Sequence, residues 1–324
     1  MKPPKIIPFI LASFIILSIS AATCTKNKQS IDSTAIVIKV DAANFLSAGL
    51  AEPISIVSRT LSNGSTVDCY KIVSKNTPTD HAMGPWCPSN INDDKTKGGI
   101  WLESGNVYDV DGAFIKNLAT FYNNSTWQMY NISTGAITKT LTVEDCQAAA
   151  NPNVGAAYKN YCVECLPSYV SNLTRTIYIP ITPIKLTKPV NFGAGPGSFG
   201  PMMRGIAFNG VTFDAPAPVN AILGAYTLAP FDDAGGHINM AAGYHYHAAT
   251  GVSKKMLQAD GHAAMIGYAL DGFGMYERLS ANGTEYLDLD ASRGHSDNIR
   301  GYHYHVDKAG ANNFINSLAG AYAN

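Results

Sequence analysis

Where hydrophobic and polar residues form a pattern in this chain, it is mostly one of short strand-like pieces separated by turns. Arg175 to Ile184, RTIYIPITPI, alternates and reads as a strand. Ala35 to Val40 is a strand-like run, and Gly99 to Glu103 and Thr126 to Tyr130 are shorter pieces of the same kind. Short helices are expected at Val143 to Ala150 and within residues 254–268. The pattern therefore predicts a mainly β chain, with antiparallel sheets packed as a sandwich or an irregular barrel and a few short helices.

The most informative alternation is Tyr-His-Tyr-His, which occurs twice. Asp232 to His247, DDAGGHINMAAGYHYH, recurs 58 residues later as Asp290 to His305, DASRGHSDNIRGYHYH. The copies share D-x-x-x-G-H-x-x-x-x-x-G-Y-H-Y-H without a gap, and six of the eight His of the chain lie in them. On a strand, successive side chains point to opposite faces. His245 and His247 then share one face, as do His303 and His305, with the tyrosines on the other. Gly243 and Gly301 suit a turn just before each strand, across which His237 and His295 fold back as third ligands. Asp232 and Asp290 are read as carboxylate ligands or as acceptors that orient an imidazole, and Tyr244 and Tyr302 as neighbours of the ligand set. Two arrangements stay open, two similar sites or one four-imidazole site paired across a pseudo-twofold axis, and the fold is expected to bring the two His-x-His strands close together. A hydrogen-bonded His and Tyr network without metal is the plainer alternative. Imidazole-rich sites suit copper, zinc, nickel or non-haem iron, and export favours copper or zinc.

Composition narrows the class. Hydrophobic residues at 46% provide a core, while 15% charged residues and 29 glycines agree with a loop-rich β protein. The net charge of −1 and the lack of a basic run argue against nucleic acid as a partner. Residues 1–22 read as a secretory signal: Lys2 and Lys5, an apolar stretch from Ile6 to Ile19, then Ser20-Ala21-Ala22. The apolar stretch is short for a membrane span, so no integral membrane segment is expected after cleavage. Residues 23–34 read as a polar tether and 35–324 as a single domain. Cleavage places the chain in the periplasm, at the cell surface or in the medium. Cys24 stands where a lipid anchor would attach, although Thr23 is a poor preceding residue. The other five cysteines are expected to form disulfides in an exported chain, with one thiol left over. The Cys162-x-x-Cys165 spacing is a weak redox or zinc signal beside that reading.

The segments Gly205 to Asp214, GGHINMAAGYHYH and His262 to Tyr276 together resemble the YHYH-domain family, most specifically over 203–320. The resemblance implies an exported protein and no firmly stated activity. Where the family usually has a Cys after the acidic pair and another near the C-terminus, this chain has Ser292 and Ser317. Losing both together suggests a family disulfide dispensed with here. His262 and His81 read more plainly as surface or hydrogen-bonded His than as ligands. Asp271, in an apolar run, is the candidate catalytic acid, with Glu277 beside it. The leading expectation is an exported copper- or zinc-binding protein. A metal-dependent hydrolase or oxidoreductase at the same site, its small-molecule substrate unknown, is the alternative, and a non-metal surface or carbohydrate-binding domain is a second one.

Overall fold

The computed structural model describes residues 36–151, 153–193 and 200–323, so the leader, the tether and Cys24 lie outside the described residues. The chain is mainly β, with 30% of residues in strands and 15% in helices, and no barrel closes. Strands follow in chain order: β1 (Ser55–Thr60), β2 (Thr66–Ser74), β3 (Ile100–Glu103), β4 (Asn106–Asp109), β5 (Arg175–Pro180), β6 (Lys185–Asn191), β7 (Gly205–Ala207), β8 (Thr212–Phe213), β9 (Gly236–Asn239) and β10 (Gly243–Tyr246). They continue with β11 (Met265–Ala269), β12 (Gly274–Tyr276), β13 (Gly294–Asp297), β14 (Gly301–His305) and β15 (Ser317–Gly320).

Eight strands form one mixed sheet in the order β13-β14-β12-β11-β7-β8-β10-β9. The order reads as two copies of one unit, back to back. Each unit is a hairpin (β7–β8 or β11–β12), then a second hairpin (β9–β10 or β13–β14) whose last strand lies parallel to the first hairpin. The units join through the antiparallel pair β7–β11, where Ile206 faces Tyr268. A pseudo-twofold axis therefore runs through the middle of the sheet. Four strands separate β10 from β14, and a strand spacing of about 4.8 Å puts them roughly 24 Å apart. The expectation that the two His-x-His strands lie close together is overturned by this topology, and with it the single four-imidazole site. Each His-x-His strand keeps its own site, at opposite ends of the sheet.

Two cores hold the sheet. The larger includes Tyr244, Tyr246, Tyr302 and Tyr304, joined by Ile72 of β2 and Ile177 and Ile179 of β5, which belong to the three-stranded sheet β1-β2-β5. The second gathers Trp101, Ile115, Leu118, Trp127, Leu228 and Phe231. The segment that supplies much of it is bound by the disulfides Cys87–Cys162 and Cys146–Cys165, and among the described residues Cys69 is the free thiol, buried in the core. Disulfides of this kind are the mark of a chain that matures in an oxidising compartment. Among the described residues no helix is long and apolar enough to cross a membrane.

Local expectations fared unevenly. Val143–Ala149 is a helix, with Thr142 accepting from the Asp145 amide as its cap, and Arg175–Pro180 and Ile100–Glu103 are strands. Residues 254–268 hold no helix. Their end is β11, buried along its whole length, where a continuous apolar run looks the same for a buried strand and a helix. Of Ala35 to Val40, Val37 makes only an isolated bridge to Gly301, and of Thr126 to Tyr130 only Tyr130 does, to Ile137.

Candidate metal centres

The hairpin register assembles each cluster. In β9–β10, His245 pairs with His237; in β13–β14, His303 pairs with His295. Cross-strand neighbours project to the same face, and alternation adds His247 and His305, which follow two residues later. Gly243 and Gly301 lead these strands with φ of 72° and 60°, a backbone that favours glycine. Gly236 and Gly294 answer a second constraint: a Cβ there would lie 2.4 Å from the Tyr244 ring and 2.2 Å from the Tyr302 hydroxyl.

The first cluster is His237, His245 and His247; the second is His262, His295, His303 and His305. Within each, the potential ligand atoms all lie within 4.8 Å of one another. In the second, Nε2 of His303 is 3.0 Å from that of His295 and 3.1 Å from that of His262, and Nε2 of His305 is 3.2 Å from that of His295. In the first, the His247 and His237 Nε2 atoms are 3.1 Å apart. A tetrahedral ion with Zn–N bonds near 2.05 Å separates its nitrogens by about 3.3 Å.

Six of the seven outward nitrogens have an acceptor among the described residues. Nδ1 of His245 donates to the Gly243 carbonyl at 2.9 Å and that of His247 to Ala215 at 2.6 Å. Nδ1 of His303, His305 and His262 donates to the carbonyls of Gly301 at 2.9 Å, Glu277 at 2.8 Å and Ala263 at 3.2 Å. Nδ1 of His295 meets the Asp288 carboxylate at 2.9 Å. A carbonyl only accepts, so the proton of a neutral imidazole sits on Nδ1 and leaves Nε2 as a lone pair. For His262 and His303, 3.1 Å apart, the Nε2 atoms then meet lone pair to lone pair, and the other carbonyl-held rings turn lone pairs toward the same centres. Burial disfavours charging the rings: it holds His247 and His305 down at about 3 and His303 at about 4, and it also lowers His237, His245 and His262.

The carboxylates lie elsewhere than expected. Asp232 accepts from the Tyr244 hydroxyl at 2.8 Å and from the Gly236 and Ala234 amides. Asp290 does the same with Tyr302 at 2.9 Å and with the amides of Ser292 and Gly294. They anchor the tyrosine face and shape the turn, and backbone carbonyls orient most of the imidazoles instead. Asp271 is fully buried on that same tyrosine face, accepting from Tyr304 at 2.6 Å and from the Gly320 amide at 2.8 Å. It is a structural anchor away from both clusters, raised to about 6 by burial. The Glu277 side chain pairs with Lys255. His81 meets Asp80 at 2.8 Å and belongs to no imidazole cluster.

Two residues of the site were missed by sequence reasoning. His262 completes the second cluster from the loop before β11, a placement that neither spacing nor alternation reveals. Asp214, just after β8, lies on the wall of a cavity of about 320 Å³ together with all three imidazoles of the first cluster. Arg175 holds it with Nη1 3.0 Å from each carboxylate oxygen, and against burial, which raises it, the Arg175 guanidinium and the Thr212 hydroxyl keep its carboxyl below the usual range.

No curated protein and no solved structure matches this chain. Residues 176–286 match the family model described as YHYH protein, a span that contains the first cluster and His262 and stops before the second copy of the motif. Residues 176–286 therefore carry a YHYH domain, and the second copy of the tetrapeptide lies beyond them on the equivalent strand β14.

Proposed function

We propose that the chain is an exported metal-binding protein that holds one copper or zinc ion at each of its two imidazole clusters. The observation that carries this reading is the convergence of Nε2 atoms at 3.0–3.2 Å in both clusters, with the Nδ1 protons of His245, His247, His262, His303 and His305 committed to carbonyls and Nδ1 of His295 meeting the Asp288 carboxylate. Such an arrangement repels itself unless a cation sits among the nitrogens. Burial makes a proton a poor cation there at neutral pH, and a transition metal with imidazole affinity supplies one. The carbonyl-held tautomers fix the ligand orientation in advance.

The two centres differ in one respect that bears on catalysis. Four imidazoles give the second centre a closed tetrahedral set, as in structural sites, whereas three leave the first with a free position on a cavity, the arrangement of catalytic sites. That observation favours a metal-dependent enzyme as the second reading.

The test is elemental analysis of the mature, untagged protein isolated from an oxidising compartment. Two ions of copper or zinc per chain are expected, falling to one in H245A/H247A and to one in H303A/H305A. A parent protein that contains no metal and takes none up on titration contradicts the reading.

A further inference from the structure

Resting on the metal reading above, we propose that the three-imidazole centre is a ligand-exchange site. Its cation takes a fourth donor from a small, largely apolar molecule with one carboxylate-like anionic head, housed in the adjoining cavity. Comparison of the two units supplies the first argument. Asn209-Gly210 and Asp271-Gly272, 62 residues apart, form the same turn. Each first residue bonds the second tyrosine of its tetrapeptide: Asn209 to Tyr246 at 2.8 Å and Asp271 to Tyr304 at 2.6 Å. At the same offset, the place of His262 is held by Gly200. The fourth imidazole of one centre thus has no counterpart in the other.

The space beside the missing ligand is the second argument. All three imidazoles border the cavity, which is lined by Trp86, Val163 and Cys165 from the disulfide-bound side and by Ile222 and Ile238. Its volume of about 320 Å³ lies at the small end of ligand pockets, which run from roughly 300 to 1,000 Å³. Apolar walls reward an apolar body.

Charge selects the head. Three neutral imidazoles leave both charges of a divalent ion uncompensated. Asp214 offsets little, because Arg175 already pairs with it and the buried Arg204 lies close enough to act on both Asp214 and His247. An uncompensated positive charge in an apolar surrounding is costly, so an anionic donor is preferred to a neutral one. The second centre, already complete with four imidazoles, has no position to give.

The test uses the mature chain loaded with cobalt(II), whose visible spectrum reports its ligands, titrated with benzoate and, separately, with acetate. Cobalt uptake is measured first, and its failure would overturn the metal reading itself. With cobalt bound at both centres, benzoate is expected to change the signal of one of them, at a concentration about tenfold or more below that of acetate. H303A/H305A should keep the response and H245A/H247A lose it. Ala241→Trp, at an exposed position on the cavity wall, should weaken benzoate without reducing cobalt uptake. Bound cobalt whose spectrum ignores benzoate, or responds to benzoate and acetate alike, would overturn the proposal while leaving the metal reading intact.

Discussion

Each Tyr-His-Tyr-His tetrapeptide divides its side chains between two tasks through strand alternation. The tyrosines enter the core and bond Asp232, Asn209, Asp290 and Asp271, while the histidines emerge on the opposite face with Nδ1 tied to the backbone. Burial on that face has a consequence in pH. The rings of His247, His305 and His303 are held at about 3, 3 and 4, against about 6.5 in the unfolded chain. Between those values the unfolded chain binds more protons than the folded one, so the metal-free protein loses stability as pH falls from about 6.5 towards 4. Asp271, raised to about 6, pulls the other way over the acid part of this window, one group against several. The melting temperature of metal-free protein should be lower at pH 5 than at pH 7.5, and the difference should shrink in His303→Gln/His305→Gln. An equal or higher value at pH 5 contradicts this. Six positions of the two imidazole clusters were legible in the sequence because alternation and exact repetition fix a face. His262 was not, because it arrives from a loop whose course only the tertiary structure determines. The carboxylate roles were misread for a related reason: sequence spacing placed Asp232 and Asp290 near the histidines, but the strand turns their tyrosine partners to the other face.

At the scale of elements, the repeat proved larger than the motif that announced it. The sequence similarity was plainest in 16 residues per copy, yet the repeated unit is four strands, including the short hairpins β7–β8 and β11–β12. Those hairpins escaped notice because GIAFNGVTF and GYALDGFGM share turn geometry more than residue identity. The parallel pairs β8–β10 and β12–β14 also escaped, since alternation within one strand carries no information about the direction of its neighbour. At the two positions where the resemblance implies cysteines, Ser292 and Ser317 touch through their hydroxyls at 2.6 Å. This contact ties the turn before β13 to β15. S292C/S317C should therefore close a disulfide across a separation of 25 residues and raise unfolding stability by about 2–4 kcal/mol. Denaturant midpoints with and without reductant measure the gain. A bond that does not form under oxidising conditions, or an unchanged midpoint, contradicts the placement.

For the molecule as a whole, the pseudo-twofold sheet carries two imidazole clusters at its ends, and the rest of the chain makes them unequal. The disulfide-bound segment lies over one centre and leaves a cavity there, with Phe231 against His237 and His247. The other centre is closed by His262 and by Tyr286 stacked 3.9 Å from His305. A mainly β class was readable from the alternation. The inequality of the centres was not, because it arises from segments distant in sequence that pack onto one half of the sheet. The most direct test of the account is anomalous scattering from crystals of zinc-loaded protein, recorded on both sides of the zinc edge. Two peaks are predicted, one within about 2.0–2.1 Å of the Nε2 atoms of His237, His245 and His247 and one at the same distance from those of His262, His295, His303 and His305. Zinc bound at other surface positions, with no peak at either cluster, would contradict it.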